Sequence, residues 1–494
     1  MKPNIFWILT DSIRNKPGKD NFGRLKTYYD FDKDSIRFKQ AISSAPATIM
    51  SMCATATGRF SVGLYPDFGY VMTKGIVYPT YLDAIKKAGY NVASAIYDSG
   101  AGRKLFQNKF NTHIISPDHI NTTKGMFEEF LYLMKNHFNP DKPNFIFVHT
   151  GPFEDNDTYV PKIFEYLKKQ NLYNDAIVIM SSDHGYVDYG RFHYFGWALQ
   201  PRTHSFYVDS NTYLANLNIR LPSSLSNVRT KEIDVPVCLF DILETVCDYT
   251  KIPFGAENKK AVSLKRLIET NDEKIKDIFN KRMLRVDSRY YMQNHKRTAL
   301  IDGHSVHFVS DDKDIQKLPE KFKKFLETTD EDAKKSIFKL ISEEYDKSEI
   351  SNIKNKKIVL YNYCHNDLLS YVKNRLSVKN VVSILDLKNI KKDYRKYEAV
   401  IAIVNNSQFY GYSRLVSFCK KKNINLILLD TMFREKKYVK YEYLKETLND
   451  PAIKKSRYGF IVNCALYVML LGIRIYETLL LDKPINYHPV VKNL

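Results

Sequence analysis

The stretch AIVIMSSDHG, residues 176–185, is the one on which the reading of the fold turns. Its first half is continuously apolar and rich in β-branched side chains, so a strand there shows apolar groups on both faces. Such strands belong to parallel sheets covered by helices on either side. Its second half turns polar at Asp183 and His184, at the carboxyl end, where open parallel sheets collect their ligands. NIFWILTD (4–11), NVASAIYD (91–98) and NFIFVHT (144–150) repeat the pattern, and the first of them ends on Asp11. Between them, TYLDAIKKAGY puts Leu82, Ile85 and Ala88 on one side of a helix that stops at Gly89. In TYVPKIFEYLKKQNLY, Val160, Ile163, Phe164 and Leu167 recur at helical spacing, with Pro161 read as a first-turn residue. The alternation predicts a layered α/β domain.

Farther along, DVPVCLFDILETVCDYTKIP (234–253) reads as helical. RMLRVDSRYYMQ and RTALIDGHSVHFVSD then alternate like hairpin strands around Asp302-Gly303, which predicts a small antiparallel sheet. Residues 311–353 read as closing helices and a linker. From Lys356 a new alternation begins with KIVLYNY, VVSILDL, AVIAIV and NLILLD, a second and smaller Rossmann-like α/β unit. It lacks a G-x-G-x-x-G fingerprint, so nothing there points to a dinucleotide. The expected borders are 1–350 for the first domain, with a core over 1–270 and a small C-terminal subdomain over 280–350, and 354–494 for the second.

A chain of 494 residues with 44% hydrophobic and 26% charged side chains is globular and long enough for two or three domains. Its six cysteines are scattered without a C-x-x-C pair, which points to free thiols in a reducing compartment and excludes a zinc knuckle. The start, MKPNIFWILTD, is too short in its apolar part for a signal peptide, so the expected location is cytoplasmic. The apolar run 459–481 carries Asn463, Arg474 and Glu477, and is read as a buried or docked helix rather than a membrane span. A formal charge of +20 implies an anionic partner, with a solvated lysine-rich surface as the bland alternative. No aromatic-basic motif supports nucleic acid as that partner.

Asp11 and the pair Asp183-His184, each at a strand end, together offer oxygen and imidazole donors of the kind that hold Zn²⁺ or Mn²⁺. Taken singly, Asp11 also fits a helix cap and Asp183-His184-Gly185 a turn. In SAPATIMSMCATATGRF (44–60), Thr48 opens a helix that puts Ile49, Met52 and Cys53 on one side and ends at Gly58. A hydroxyl there is either an ordinary N-cap or a nucleophile set among free N–H groups that bind phosphate oxygens. A threonine needs activation to attack phosphorus, and a neighbouring cation supplies it.

PNIFWILTDSIR, SSAPATIMSMCATATGRF, PTYLDAIKKAGYNVASAIYD, KPNFIFVHTGP and VIMSSDHG stand in the order and spacing of the sulfatase-like branch of the alkaline phosphatase superfamily, which the chain resembles over about 1–270. The resemblance implies an alkaline-phosphatase/sulfatase-like layered α/β/α fold, with 280–350 similar in position to the family's small C-terminal subdomain. It puts Thr48 at the nucleophile position and implies Asp11, Thr48, Asp183 and His184 as metal ligands. True sulfatases carry Cys or Ser there, matured to formylglycine and followed by Pro and Arg, whereas this chain has Thr48, Met50 and Met52. Sulfate hydrolysis by that route is therefore not expected. Threonine is similar to the family's phosphodiesterases, phosphomutases and transferases of phosphoethanolamine or phosphoglycerol. GRFHYFGWALQPRTHSFYV resembles the transferases' two-histidine segment, which implies His204 as a further ligand and His193 as a phosphate contact.

The family's usual second-metal pattern is missing, and HTGPFEDNDTYV offers His149, Glu154, Asp155 or Asp157 in its place, so the expectation is one or two ions. His149 is also a candidate proton carrier at the substrate, and Arg59 of TGR either neutralises substrate charge or ties the helix end. The expected function is metal-dependent phosphoryl transfer or phosphodiester hydrolysis through a threonine. Its substrate is a phosphorylated small molecule, glycan or lipid, with the basic surface touching an anionic membrane leaflet. The alternatives are a sulfatase-like ester hydrolase and a catalytically degenerate anion-binding scaffold. Oligomeric state is not encoded in any pattern.

Overall fold

The structure is a computed structural model of the whole chain. It describes residues 2–18, 22–64, 75–97, 106, 109–115, 122–152, 154–186, 208–288, 298–309 and 312–346, and the strand residues 358–362, 381–383, 399–404, 425–430 and 492–493. The chain divides into two compact units, one of residues 1–64, 74–291 and 295–333 and the other of 65–73, 292–294 and 334–494.

Five parallel strands form the heart of the first unit: β1 (Ile5–Thr10), β3 (Asn91–Ile96), β4 (Thr112–Ile115), β5 (Asn144–Thr150) and β6 (Ile177–Ser182). They lie in the order β4-β3-β5-β1-β6, and β1, β5 and β6 are buried throughout, as the unbroken apolar runs require. The sheet continues through β8 (Leu217–Arg220), antiparallel to both its neighbours, to β2 (Ile36–Ile42), which is flanked by β7 (Leu214–Ala215) and β9 (Lys231–Cys238). Two antiparallel steps leave β2 running the same way as β6, so the loop after β2 leaves from the carboxyl edge of the parallel strands.

The helices divide between the faces by the register of the strands. Phe6, Ile8, Ile146, Val148, Val178 and Met180 pack with Met126 and Phe130 of α4 (Thr123–Asn136) and Val160, Ile163 and Leu167 of α5 (Asn156–Lys169). Tyr28 and Phe31 of α1 (Lys26–Asp32) join them. The alternate residues Trp7, Phe145 and Phe147 meet Met52 and Ala56 of α2 (Thr48–Thr57), Leu82 of α3 (Tyr81–Lys87) and Leu243 of α6 (Asp241–Thr250). The small sheet of β10 (Leu284–Asp287), β11 (Thr298–Ile301) and β12 (Val306–Val309) is antiparallel, with Asp302-Gly303 at the β11–β12 turn. Leu300 and Val309 pack there on Phe322 and Leu326 of α7 (Glu320–Asp346).

In the second unit the described strands β13 (Ile358–Asn362), β14 (Val381–Ser383), β15 (Ala399–Val404) and β16 (Asn425–Asp430) form a parallel sheet in the order β14-β13-β15-β16. The short β17 (Lys492–Asn493) pairs antiparallel with β16. The apolar run 459–481 lies outside the described residues, and no helix among them is long and apolar enough to cross a membrane.

Two sequence expectations need correction. Residues 234–238 extend β9 instead of opening a helix: Val235, Val237 and Cys238 are buried beside β2, and the helix begins only at Asp241, whose carboxylate accepts the Cys238 N–H. Pro161 lies inside α5 rather than in its first turn. The helix begins earlier because Asp155 caps α4 and the Asn156 amide is tied to the Gly151 carbonyl and the Thr123 hydroxyl, which sets the helical start ahead of the proline.

Candidate active site

The ends of four neighbouring strands supply the polar cluster. Asp11 follows β1 and continues its ladder by donating its N–H to the Thr150 carbonyl at 2.9 Å. Ser12 then takes φ 61°, a left-handed conformation that a non-glycine residue adopts at a cost of about 1–3 kcal/mol. That turn aims the Ser12 N–H at Asp183 Oδ1, 2.9 Å away. The His184 N–H donates to the same oxygen at 2.9 Å, so Asp183 is held by two backbone groups on one side. Its other oxygen, Oδ2, is buried and makes no hydrogen bond. Asp11 is likewise held on both oxygens, Oδ1 accepting from the Ser12 hydroxyl at 2.5 Å and Oδ2 from the Tyr97 hydroxyl.

His184 is oriented in the same manner. Its Nδ1 lies 2.6 Å from the Gly185 carbonyl oxygen, which can only accept, so Nδ1 carries a proton and Nε2 is the nitrogen turned toward the carboxylates. Nε2 lies 3.3 Å from Asp183 Oδ2, 3.8 Å from Asp11 Oδ1 and 3.2 Å from Thr48 Oγ1. Donor atoms of Asp11, Asp183 and His184 all fall within 4.8 Å of one another, and all three side chains are buried. Burial pushes the Asp183 carboxyl up to about 6, and the neighbouring charge of Asp11 adds to it. Burial pushes Asp11 up as well, but His184, His149 and the bonds from Ser12 and Tyr97 outweigh it and hold that carboxyl below its usual range. Two buried carboxylates and an imidazole nitrogen within 4.8 Å of one another, with the Asp183 Oδ2 oxygen making no hydrogen bond, fit a divalent cation of the Zn²⁺ or Mn²⁺ kind.

Thr48 meets this cluster from the opposite side. The N-cap of α2 is Ala47, extended at φ −155° and ψ 130° and without a side-chain bond, so Thr48 is the first helical residue and caps nothing. Its hydroxyl instead lies 3.2 Å from His184 Nε2. α2 ends as expected at Gly58, in the left-handed conformation at φ 70°.

The remaining candidates divide. His149, on β5 between β3 and β1, is 2% exposed; its Nε2 makes no hydrogen bond, and its ring meets Tyr97 edge-on at 5.1 Å. Burial pulls the imidazole down to about 4, which Asp11 opposes and His184 reinforces. Arg59 is not brought to the cluster. It lies past the far end of α2, about 15 Å from Thr48 at ~1.5 Å rise per residue, where it donates to the Glu257 carbonyl at 3.1 and 2.7 Å and covers the Tyr78 ring. Two of the carboxylates considered for a second ion are otherwise engaged. Asp155 accepts the Thr123 and Lys124 N–H groups at the start of α4, and Asp157 those of Lys26 and Thr27 at the start of α1. His193 and His204 lie outside the described residues. Sequence reading missed Tyr97 and Ser12; the one available signal was their place at or beside strand ends already singled out.

No family model matches the chain, and no curated protein matches it. Among solved structures it is similar to the lipoteichoic acid synthase LtaP from Listeria monocytogenes, at 12% identity and a TM-score of 0.48 over 68% of this chain and 91% of that one. It is similar to a protein in the alkaline phosphatase superfamily from Vibrio parahaemolyticus, at 15% identity and 0.48 over 68% and 87%. A third is the phosphonate monoester hydrolase SpPMH from Silicibacter pomeroyi, at 13% identity and 0.47 over 63% and 87%. At such identities and TM-scores the likenesses carry no argument about chemistry.

Proposed function

We propose that this chain is a sulfatase-like member of the alkaline phosphatase superfamily that transfers or hydrolyses a phosphoester through Thr48. The observation that carries the reading is the 3.2 Å approach of the Thr48 hydroxyl, which caps no helix, to Nε2 of His184, beside two buried carboxylates. Asp11, Asp183 and His184 would hold the divalent cation, which supplies charge neutralisation at the phosphoryl oxygens and lowers the proton affinity of the Thr48 hydroxyl.

Thr48 Oγ1 forms the bond to phosphorus as the bond to the leaving alkoxide breaks, giving a phosphothreonine and an alcohol. Free N–H groups in the first turn of α2 orient the phosphoryl oxygens. Water or an acceptor hydroxyl then attacks the same phosphorus and the bond to Oγ1 breaks, returning the threonine. His149, whose Nε2 makes no hydrogen bond, is proposed as the carrier of the proton between these halves. The proposed substrate is a phosphorylated small molecule, glycan or lipid, met by a chain of formal charge +20 that is suited to anionic surfaces.

The test is p-nitrophenol release from mono- and bis-p-nitrophenyl phosphate and from p-nitrophenyl sulfate by metal-stripped protein reloaded with Mn²⁺, Zn²⁺ or Mg²⁺. Diester turnover that needs the metal and vanishes in Thr48→Ala is the expected result. Turnover of the sulfate alone, or turnover that survives Thr48→Ala, overturns the reading.

A further inference from the structure

α2 carries a second hydroxyl toward the same strand end. Ser51 lies one turn after Thr48, and residues three apart share a helix face. Its Oγ lies 2.7 Å from the Asp183 carbonyl oxygen, while Thr48 Oγ1 lies 3.2 Å from the ring of the next residue, His184. The two hydroxyls thus hold the Asp183–His184 segment at its main chain and at its side chain.

The protons can be assigned. The Asp183 carbonyl only accepts, so the Ser51 proton goes to it. Ser43, in the loop after β2, lies 2.9 Å from Ser51 Oγ and 2.8 Å from the Ala45 carbonyl oxygen, and its one proton is shared between these two acceptors. Its oxygen in turn accepts the Ala45 N–H at 3.4 Å. The result is a buried chain of polar contacts, Ser43 to Ser51 to Asp183, joining the loop that precedes Thr48 to the segment bearing two of the three cation-site residues. Both serines are buried, so water does not replace a lost link.

We propose that Ser51 is a positioning residue that fixes the distance between the nucleophile and the cation site. The proposal rests on the reading of Thr48 as nucleophile for its kinetic consequence, though not for its effect on the cation. Thr55 provides the control: it is a buried hydroxyl on the same helix, but it bonds only its own helix, at the Ser51 carbonyl 2.9 Å away.

The experiment compares wild type, Ser51→Ala, Ser51→Thr, Ser43→Ala and Thr55→Ala in the full chain. It measures kcat and KM on bis-p-nitrophenyl phosphate and, separately, Mn²⁺ affinity by titration calorimetry. Loss of a group that orients metal ligands costs about 10- to 100-fold in affinity or activity. Ser51→Ala is expected to lose kcat by that factor with KM little changed and to bind Mn²⁺ more weakly. Ser51→Thr recovers both quantities, and Thr55→Ala matches wild type. Wild-type kcat and Mn²⁺ affinity in Ser51→Ala, or an equal loss in Thr55→Ala, overturns the proposal. If Ser51→Ala does not fold, Ser43→Ala is judged by the same criteria. If wild type binds Mn²⁺ but turns over no ester, the phosphoester reading fails and the calorimetry alone decides Ser51: weaker binding in Ser51→Ala than in Thr55→Ala supports it, equal binding refutes it. A wild type that binds no Mn²⁺ overturns both.

Discussion

Asp183 shows how much of this site is decided atom by atom. One carboxylate oxygen is fixed by two backbone N–H groups, and the other is buried without a hydrogen bond, 3.3 Å from Nε2 of His184. A cation bound there binds only the folded chain and stabilises it by mass action, by about 2.7 kcal/mol at a hundredfold excess over its Kd. Metal-stripped protein is therefore expected to melt at a higher temperature when Mn²⁺ or Zn²⁺ is added. Asp183→Asn, with a neutral and poorer ligand, is expected to show little or no rise, a difference that thermal scans with and without metal will detect. Residue types at strand ends singled out Asp11, Asp183 and His184 in the sequence, and a hydroxyl at a helix start singled out Thr48. Tyr97 was not, because its hydroxyl reaches Asp11 across an intervening strand, and strand order is invisible in a linear pattern.

Elements behave as their punctuation directs, with exceptions that have local causes. Gly58 closes α2 at φ 70°, and a Cβ there would meet the Tyr81 hydroxyl at 2.8 Å. Gly58→Ala is expected to cost roughly 1–2 kcal/mol for the left-handed backbone, plus the displacement of Tyr81, and denaturant midpoints measure it. At the β11–β12 turn, Asp302 accepts from the His304 and Ser305 N–H groups and from Lys321 of α7. Burial pushes its carboxyl up, but these bonds, Lys321 foremost, outweigh that and bring it down to about 2. A carboxyl whose folded pKa lies below its unfolded value of 3.8 contributes stability that is complete above pH 4 and is lost as the pH falls toward 2. Wild type is therefore expected to lose stability across that window more steeply than Asp302→Asn, as acid titrations followed by circular dichroism can show. The turn was readable from Asp-Gly, whereas the strand at 234–238 was not. A short apolar run suits strand or helix alike until pairing with β2 chooses between them.

In the first unit as a whole, charged groups tie the small antiparallel sheet to the elements around it, beside the contacts of Phe60 with Phe240 and Phe325. Arg285 on β10 is 0% exposed, pairs with Asp287 at 2.9 Å and Asp330 of α7 at 2.7 Å, and donates to Thr329. Arg282 reaches Asp241 of α6 with two bonds, and the Asp287 N–H reaches the Ser44 carbonyl in the loop ahead of Thr48. Removing one partner of such a pair leaves an uncompensated buried charge, so Arg285→Ala is expected to destabilise the chain by about 3–5 kcal/mol. Equilibrium unfolding measures that loss, and a loss below 1 kcal/mol would mean the pair is not held as described. By itself the sequence determined the covered parallel sheet, the hairpin unit, the later run of parallel strands and the residue types at the strand ends, because hydrophobic period and turn chemistry are local properties. Only the tertiary structure decided which hydroxyls, carbonyls and carboxylates meet, that Arg59 lies away from Thr48, and that Asp155 and Asp157 cap helices. Those outcomes depend on strand order and on the stagger of packed elements, which arise from contacts between residues far apart in the chain.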